Sequence, residues 1–374
     1  MSLIRLSKSS TSEAEATAAA EAVRRAALGM GGEVNAFEQE LAEFLGGNRQ
    51  VICVSTGTAA LQLAVQACGI GPGDEVLVPT LTFVASFQAI SATGATPVAC
   101  EVRASDGYLD VADAAGRITE KTKAIMPVHY ASNLGAIGEV YALAQQHRLR
   151  VIEDAAHAFG GLDQGQRVGA TGDVVCFSFD GIKNITSAEG GAIVTGDSDV
   201  AEHAKNARLL GVVKDTEKRY SGQRSWEFDV VEQGWRYHMS NVYAAIGRVQ
   251  LGRLRKEFGP RRMQLAQRYE DLLSGLPGVR TLRLDYENII PHIFLIFIAG
   301  EKRDAVRAAM TAQEIETGIH YKPNHLLSLY GGGAISLPVA EQLYAEMLTL
   351  PLHFELTDAE QDRVVETFRK ALSV

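Results

Sequence analysis

From Val51 to Thr195 the chain alternates short, nearly continuous apolar runs with longer stretches in which apolar residues return every three or four positions. The short Val- and Ile-rich runs read as strands covered on both faces, and the longer spacing reads as amphipathic helix. Predicted strands are Val51 to Val54, Glu75 to Pro79, Thr96 to Cys100, Ala124 to Val128, Arg150 to Glu153, Asp173 to Phe179 and Ala192 to Thr195. Between the first two, Gly57 to Cys68 sets Ala60, Leu61, Ala64, Val65 and Cys68 on one helical face, and Ile137 to His147 repeats the pattern with Val140 and Ala144. Strands alternating with crossover helices predict an α/β fold with a mostly parallel central sheet and flanking helices.

The texture changes near Gly247. Helices are expected from Asn241 to Phe258 and from Arg261 to Ser274, followed by short strands near Val279 to Leu284 and Ile293 to Ile298. The chain therefore divides into a large α/β unit over 1–246, which includes an N-terminal helical segment, and a smaller α+β unit over 247–374. The polar stretch from Leu210 to Gly234 has little periodicity and reads as a long excursion that meets a partner subunit.

Composition narrows the function. The 374 residues carry a net charge of −9, and without clustered Lys and Arg there is no footprint for a nucleic-acid backbone. No apolar run approaches the roughly 18 to 20 residues that span a bilayer, the longest being Ile293 to Ala299 between a His and a Gly. The segment from Ser7 to Ala27 lacks the basic start and apolar middle of an export signal. Cys53, Cys68, Cys100 and Cys176 show no paired spacing, which fits neither a metal site nor a disulfide framework and suits a reducing cytoplasm.

Three segments carry candidate chemistry. Ser55 to Leu61 is a small-residue turn that leaves a strand and opens a helix, where free N–H groups and the helix dipole favour an anion and Gly57 permits close approach; the same residues also serve ordinary capping. Arg150 to His157 is an apolar strand ending in Glu153 and Asp154, and ligands of open α/β sheets sit beyond such strand ends. The third, Asp173 to Asn184, plants Lys183 in a small-residue loop beyond a buried strand, ahead of Thr186 and Glu189-Gly190-Gly191. A reactive Lys, an acid for a ring nitrogen and a phosphate cup, in that order at strand ends, are what pyridoxal phosphate (PLP) requires.

With these residues in place the sequence resembles the fold type I PLP-dependent sugar-nucleotide aminotransferases of the DegT/DnrJ/StrS family, from about Gly29 to the C-terminus. The matching text is Ser-Thr-Gly-Thr-Ala-Ala-Leu at 55 to 61, Gly-Asp-Glu-Val-Leu-Val-Pro-Thr-Leu-Thr-Phe at 73 to 83, Glu-Asp-Ala-Ala-His at 153 to 157 and Ser-Phe-Asp-Gly-Ile-Lys-Asn-Ile-Thr at 178 to 186. Glu-Gly-Gly-Ala at 189 to 192, Tyr-His-Met-Ser-Asn at 237 to 241 and Gly-Ile-His-Tyr at 318 to 321 extend it. The resemblance implies that Lys183 is the Schiff-base lysine and Asp154 the partner of the pyridine N–H. Gly57, Thr58, Ala59 and Ser178 would hold the phosphate, Phe83 would stack on the ring and His157 would stand near the ring hydroxyl, where many members carry Gln. Arg236, where many members carry Asn, would reach the phosphate across a homodimer interface, and Glu189, His320, Tyr321 and His325 would face the substrate.

The implied reaction moves an amino group from L-glutamate to a nucleotide-linked keto sugar, of the 4-keto-6-deoxy class more than the 3-keto class, in the making of deoxyaminosugars for surface polysaccharides such as lipopolysaccharide. Other readings stay open on sequence: amination at C3, an aminotransferase for simple amino acids, or a PLP-binding regulator without turnover. A dehydratase branch of the family carries His at the position of Lys183. His129, in a loop that departs from the family text, has no assigned role.

Overall fold

The computed structural model describes residues 2–213, 215–223, 226–282 and 284–373. Its main feature is a seven-stranded sheet made of β1 (Gln50–Val54), β2 (Glu75–Pro79), β3 (Thr96–Cys100), β4 (Thr122–Ile125), β5 (Arg150–Asp154), β6 (Val174–Ser178) and β7 (Gly191–Thr195), in the spatial order β1-β7-β6-β5-β4-β2-β3. All strands run parallel except β7, which is antiparallel to both its neighbours. Six of the seven predicted ranges agree to within a residue. The fourth strand lies earlier than expected because Pro127 has no N–H to give a ladder, so beyond Ile125 pairing continues only through single contacts such as Val128 with Asp154. The sixth ends at Ser178, where the chain turns into the Lys183 loop.

Both faces are covered, as the continuous apolar runs required. The helix Gly57–Ala67 packs with Ile52, Val76, Val78 and Ile193 on one side. On the other, Phe37 and Leu41 of the helix Gly32–Leu45 meet Val51, Cys53, Phe177 and Val194. Cys53, Cys100 and Cys176 are buried free thiols and Cys68 is half-buried.

A second sheet follows: β8 (Val279–Thr281), β9 (Phe294–Ile298) and β10 (Met347–Leu350), antiparallel in that order. Its helices Gly259–Leu273, Arg303–Ala312 and Asp358–Leu372 enclose a core of Tyr269, Phe294, Ile296, Met310, Leu348 and Phe368, to which Ile4 from the start of the chain also contributes. The two helices expected on either side of residue 260 form one rod, since a π-helical stretch, Leu254–Phe258, joins Asn241–Arg253 to Gly259–Leu273. Pro260, which has no N–H to give, falls directly after the π-helical stretch, in the first turn of the second segment.

Candidate active site

The carboxyl ends of the parallel strands share one edge of the large sheet, and the antiparallel β7 begins at that same edge. Residues far apart in sequence therefore converge there: Thr56 to Thr58 after β1, Thr82 and Phe83 after β2, Val128 and Tyr130 after β4, Asp154 to His157 at the end of β5, Ser178 to Lys183 after β6 and Glu189 before β7. Together with His320 and Tyr321 they line a cavity of about 390 Å³.

One wall is the start of the helix Gly57–Ala67. Thr56 caps it by accepting from the Ala59 N–H at 3.0 Å, while the N–H groups of Gly57 and Thr58 belong to the first turn and have no intrahelical acceptor. Ala59, expected among the phosphate donors, thus has its donor taken and does not line the cavity. Gly57 is required by contact, because a Cβ there would stand 2.7 Å from Cβ and 2.9 Å from Oγ of Ser178. The helix start and the end of β6 meet at this glycine, which places the Ser178 hydroxyl beside the free N–H groups.

Deeper in, Asp154 is buried and accepts from the Ser86 hydroxyl at 2.7 Å and the Ala156 N–H at 3.2 Å. Both donors are neutral. Burial raises the carboxyl's pKa; these bonds, and more weakly Lys183, oppose it. Lys183 stands in the same cavity with its Nζ 3.3 Å from Nε2 of His292. Desolvation brings the amine down to about 8, against the opposing pull of Asp154 and Asp180.

At the rim, Phe83 is 54% exposed, with its ring 5.4 Å from that of Tyr321. The Tyr321 hydroxyl is 3.2 Å from Nε2 of His157, and Nδ1 of His320 is 2.8 Å from the Thr349 hydroxyl. Titration of His157, suggested by its type, is suppressed: burial above all holds its pKa well below the ordinary value, and the ring stays neutral. Glu189 is exposed at the mouth.

Two expected residues lie elsewhere. His325 is fully buried outside the cavity, with Nδ1 2.8 Å from the Thr80 hydroxyl and Nε2 3.2 Å from Glu341. Arg236 is exposed and does not line the cavity of its own chain; its backbone bridges Leu209, next to the Tyr237 carbonyl that accepts from the Ser55 N–H at 2.6 Å. His129 turns away from the cavity and binds Glu153 at 2.7 Å. His292, Tyr130 and Asp180 are the side chains at the site that the sequence reading missed. For His292 the signal was a His directly before the apolar run of β9.

The profile of the DegT/DnrJ/EryC1/StrS aminotransferase family matches residues 9–369. The chain belongs to this family. As an aminotransferase of the DegT/DnrJ/EryC1/StrS type it depends on PLP, and the residues present suit that group: a first-turn anion cradle that a single Cβ would fill, a buried carboxylate with only neutral donors, and a desolvated lysine. The spore coat polysaccharide biosynthesis protein SpsC of Bacillus subtilis is 34% identical over 352 residues, covering 91% of this chain and 90% of SpsC. Among solved structures, the aminotransferase TlmJ of Streptoalloteichus hindustanus superposes with a TM-score of 0.92 at 33% identity, over 100% of this chain and 99% of TlmJ. Spr1654 of Streptococcus pneumoniae, assigned as a sugar aminotransferase and solved in a PLP form, gives 0.91 at 28% identity over 100% and 99%. Among the described residues no cluster of metal-ligating side chains is present and no helix is long and apolar enough to cross a membrane.

Proposed function

We propose that this aminotransferase moves an amino group from L-glutamate to a keto sugar linked to a nucleoside diphosphate, at C4 of a 4-keto-6-deoxy sugar, within surface polysaccharide synthesis. The observation that carries the reading is the meeting of Lys183, Asp154 and the Gly57–Thr58 helix start in one cavity. Likeness to a spore coat polysaccharide protein and to an assigned sugar aminotransferase supports the acceptor class.

In this reading the N–H groups of Gly57 and Thr58, with the Ser178 hydroxyl, hold the cofactor phosphate. Asp154 keeps the ring nitrogen protonated, which offsets the cost of burying its own charge. Phe83 covers one face of the ring at the rim, and His157 supplies a neutral hydrogen bond beside it. When bound, the cofactor supplies an electron sink for the charge left on the donor's α-carbon. Lys183, with a pKa near the working pH, takes up and returns the proton at its Nζ. Glu189, His320 and Tyr321 line the approach and face the acceptor. The active unit is a homodimer in which Arg236 reaches the partner's phosphate site through paired guanidinium N–H groups.

The test is a screen of nucleotide-linked 4-keto and 3-keto sugars with L-glutamate, followed by identification of the aminated carbon. Amination at C4 with glutamate consumed in equal amount is expected. Turnover only with simple keto acids would overturn the sugar reading. Borohydride reduction and peptide mapping check the lysine separately, with the label expected on Lys183.

A further inference from the structure

The lysine amine has a neighbour that none of the motifs identified. His292 lies at the entry to β9 and is 4% exposed, with its Nε2 3.3 Å from Lys183 Nζ. Its other ring nitrogen, Nδ1, is buried without a partner. The backbone on either side is tightly tied: the His292 N–H donates to the Ser132 hydroxyl at 3.0 Å, and its carbonyl accepts from Arg262 at 3.2 Å. The one hydroxyl proton of Ser132 is within reach of the carbonyls of His157 at 2.5 Å and Ile290 at 2.9 Å, and Ser132 stands in the left-handed region at φ 67°, beside Ala131 at φ 53°. Such backbone is unfavourable for residues with a Cβ. A strained turn, a serine and a buried arginine thus converge on the peptide that carries this ring.

The ring packs 4.4 Å from that of His157. Burial first, then the positive charges of Lys183 and Arg262, keep its pKa well below the ordinary histidine value. The lysine in turn feels the negative charges of Asp154 and Asp180 and the positive charge of Arg262, while Tyr321 and His320 close the same space. Beside the ammonium form of the lysine, which can only donate, the neutral imidazole accepts at Nε2 and so carries its proton on Nδ1, where it meets no acceptor. If the ring served packing alone, an apolar side chain would fill the place without an orphaned buried donor.

We propose that His292 is a positioning residue for Lys183: its neutral ring accepts one N–H of the lysine amine and holds it at the cavity wall whenever the amine is not engaged with the cofactor. The inference rests on the reading of Lys183 given above. It implies that the freed amine returns to one place with its remaining valences turned to the cavity, ready to collect a proton, and does not wander among rotamers.

The test compares His292→Leu, His292→Asn and His292→Gln in the full-length protein, each checked for folding by circular dichroism. Asn is too short to reach Nζ and stays polar; Gln places an amide oxygen near the position of Nε2. The first readout uses cofactor-free protein: trace acetylation with acetic anhydride across pH, with Lys183 followed by peptide mass spectrometry. Loss of the acceptor destabilises the ammonium form, so the labelling midpoint is expected to fall by about one pH unit in the Leu and Asn variants and to recover in Gln. The second is the single-turnover rate of the loaded enzyme with L-glutamate, expected to drop about tenfold or more in Leu and Asn with partial rescue by Gln. If Leu fails to fold, Asn decides. A folded variant lacking the acceptor that keeps the wild-type midpoint and rate overturns the inference. Borohydride label on a lysine other than Lys183 would overturn the functional reading and this inference together, whereas label on Lys183 with an unmoved midpoint overturns this inference alone.

Discussion

Lys183 burdens the cofactor-free protein, and the burden depends on pH in a defined direction. Its pKa falls from 10.5 to about 8 on folding, so between pH 8 and 10.5 the unfolded chain binds the extra proton and stability rises with pH; below 8 the full penalty stands, on the order of 3 kcal/mol. Cofactor-free Lys183→Met should therefore melt at a higher temperature than wild type at pH 7, with the gap closing toward pH 10.5. A less stable variant at pH 7 would show that the amine is not desolvated. Asp154→Asn should fold and keep weak cofactor binding, yet lose 100-fold or more in single-turnover rate with glutamate, on the order of 3 kcal/mol of transition-state stabilisation. Near-normal rates would remove Asp154 from the ring-nitrogen role. At this scale the sequence was informative where a residue type was odd for its surroundings, as Lys183 is in a run of small residues. It was silent on His292, which one residue type in an apolar neighbourhood cannot separate from a core histidine, and misleading on His325, whose buried bonds to Thr80 and Glu341 come from a chain reversal that no local pattern encodes.

Among the elements, the joint between the helix Gly57–Ala67 and β6 has the least room. Gly57→Ala would drive a Cβ into Ser178, which overpacks the joint and displaces the first-turn donors, at a cost of about 1–3 kcal/mol in stability. Loss of tenfold or more in PLP affinity, read by absorbance titration, is expected with it. Gly252→Ala is the control: nothing stands within 4 Å of its Cβ, and a helix favours alanine by up to about 1 kcal/mol. Equal behaviour of the two variants would remove the close approach from the account. Strand and helix identities were legible because the covered sheet leaves continuous apolar runs. The direction of β7 was not, since a strand reads the same either way until its connection is known. β10 was missed because Met347–Leu350 follows directly on the helix Pro338–Glu346 with no break in hydrophobicity.

For the whole molecule, the excursion after Leu210 leaves Trp226 at 85% and Val231 at 70% exposure, apolar surface of the kind that subunit contacts cover. Its base is tied to the sheet edge by the buried Arg208, which donates to the Cys53 carbonyl of β1 at 2.7 Å, to Glu38 at 2.5 Å and to the Tyr220 hydroxyl at 2.8 Å. The proposed dimer makes a specific demand: Lys183→Ala and Arg236→Glu chains should each be nearly inactive, and random exchange of subunits should restore about a quarter of wild-type activity, because one site in each mixed dimer is intact. No recovery despite verified exchange would remove Arg236 from the neighbouring site. The expected division at residue 247 falls within the helical rod that runs from Asn241 to Leu273, and helical periodicity alone does not say on which side of a rod one unit ends.

The pairing of β6 with the reversed β7 has a further consequence. Ser178 and Gly191 are partners in register, so the loop that carries Lys183 leaves and re-enters the sheet at one point, and Asn184, Ile185, Thr186 and Ser187 inside it are buried. Working loops usually come from the parts of a protein that open most readily. Here the loop is anchored at both ends by paired strands and packed inside, so its amides should exchange with deuterated water almost as slowly as those of the sheet, while those around Trp226 exchange early.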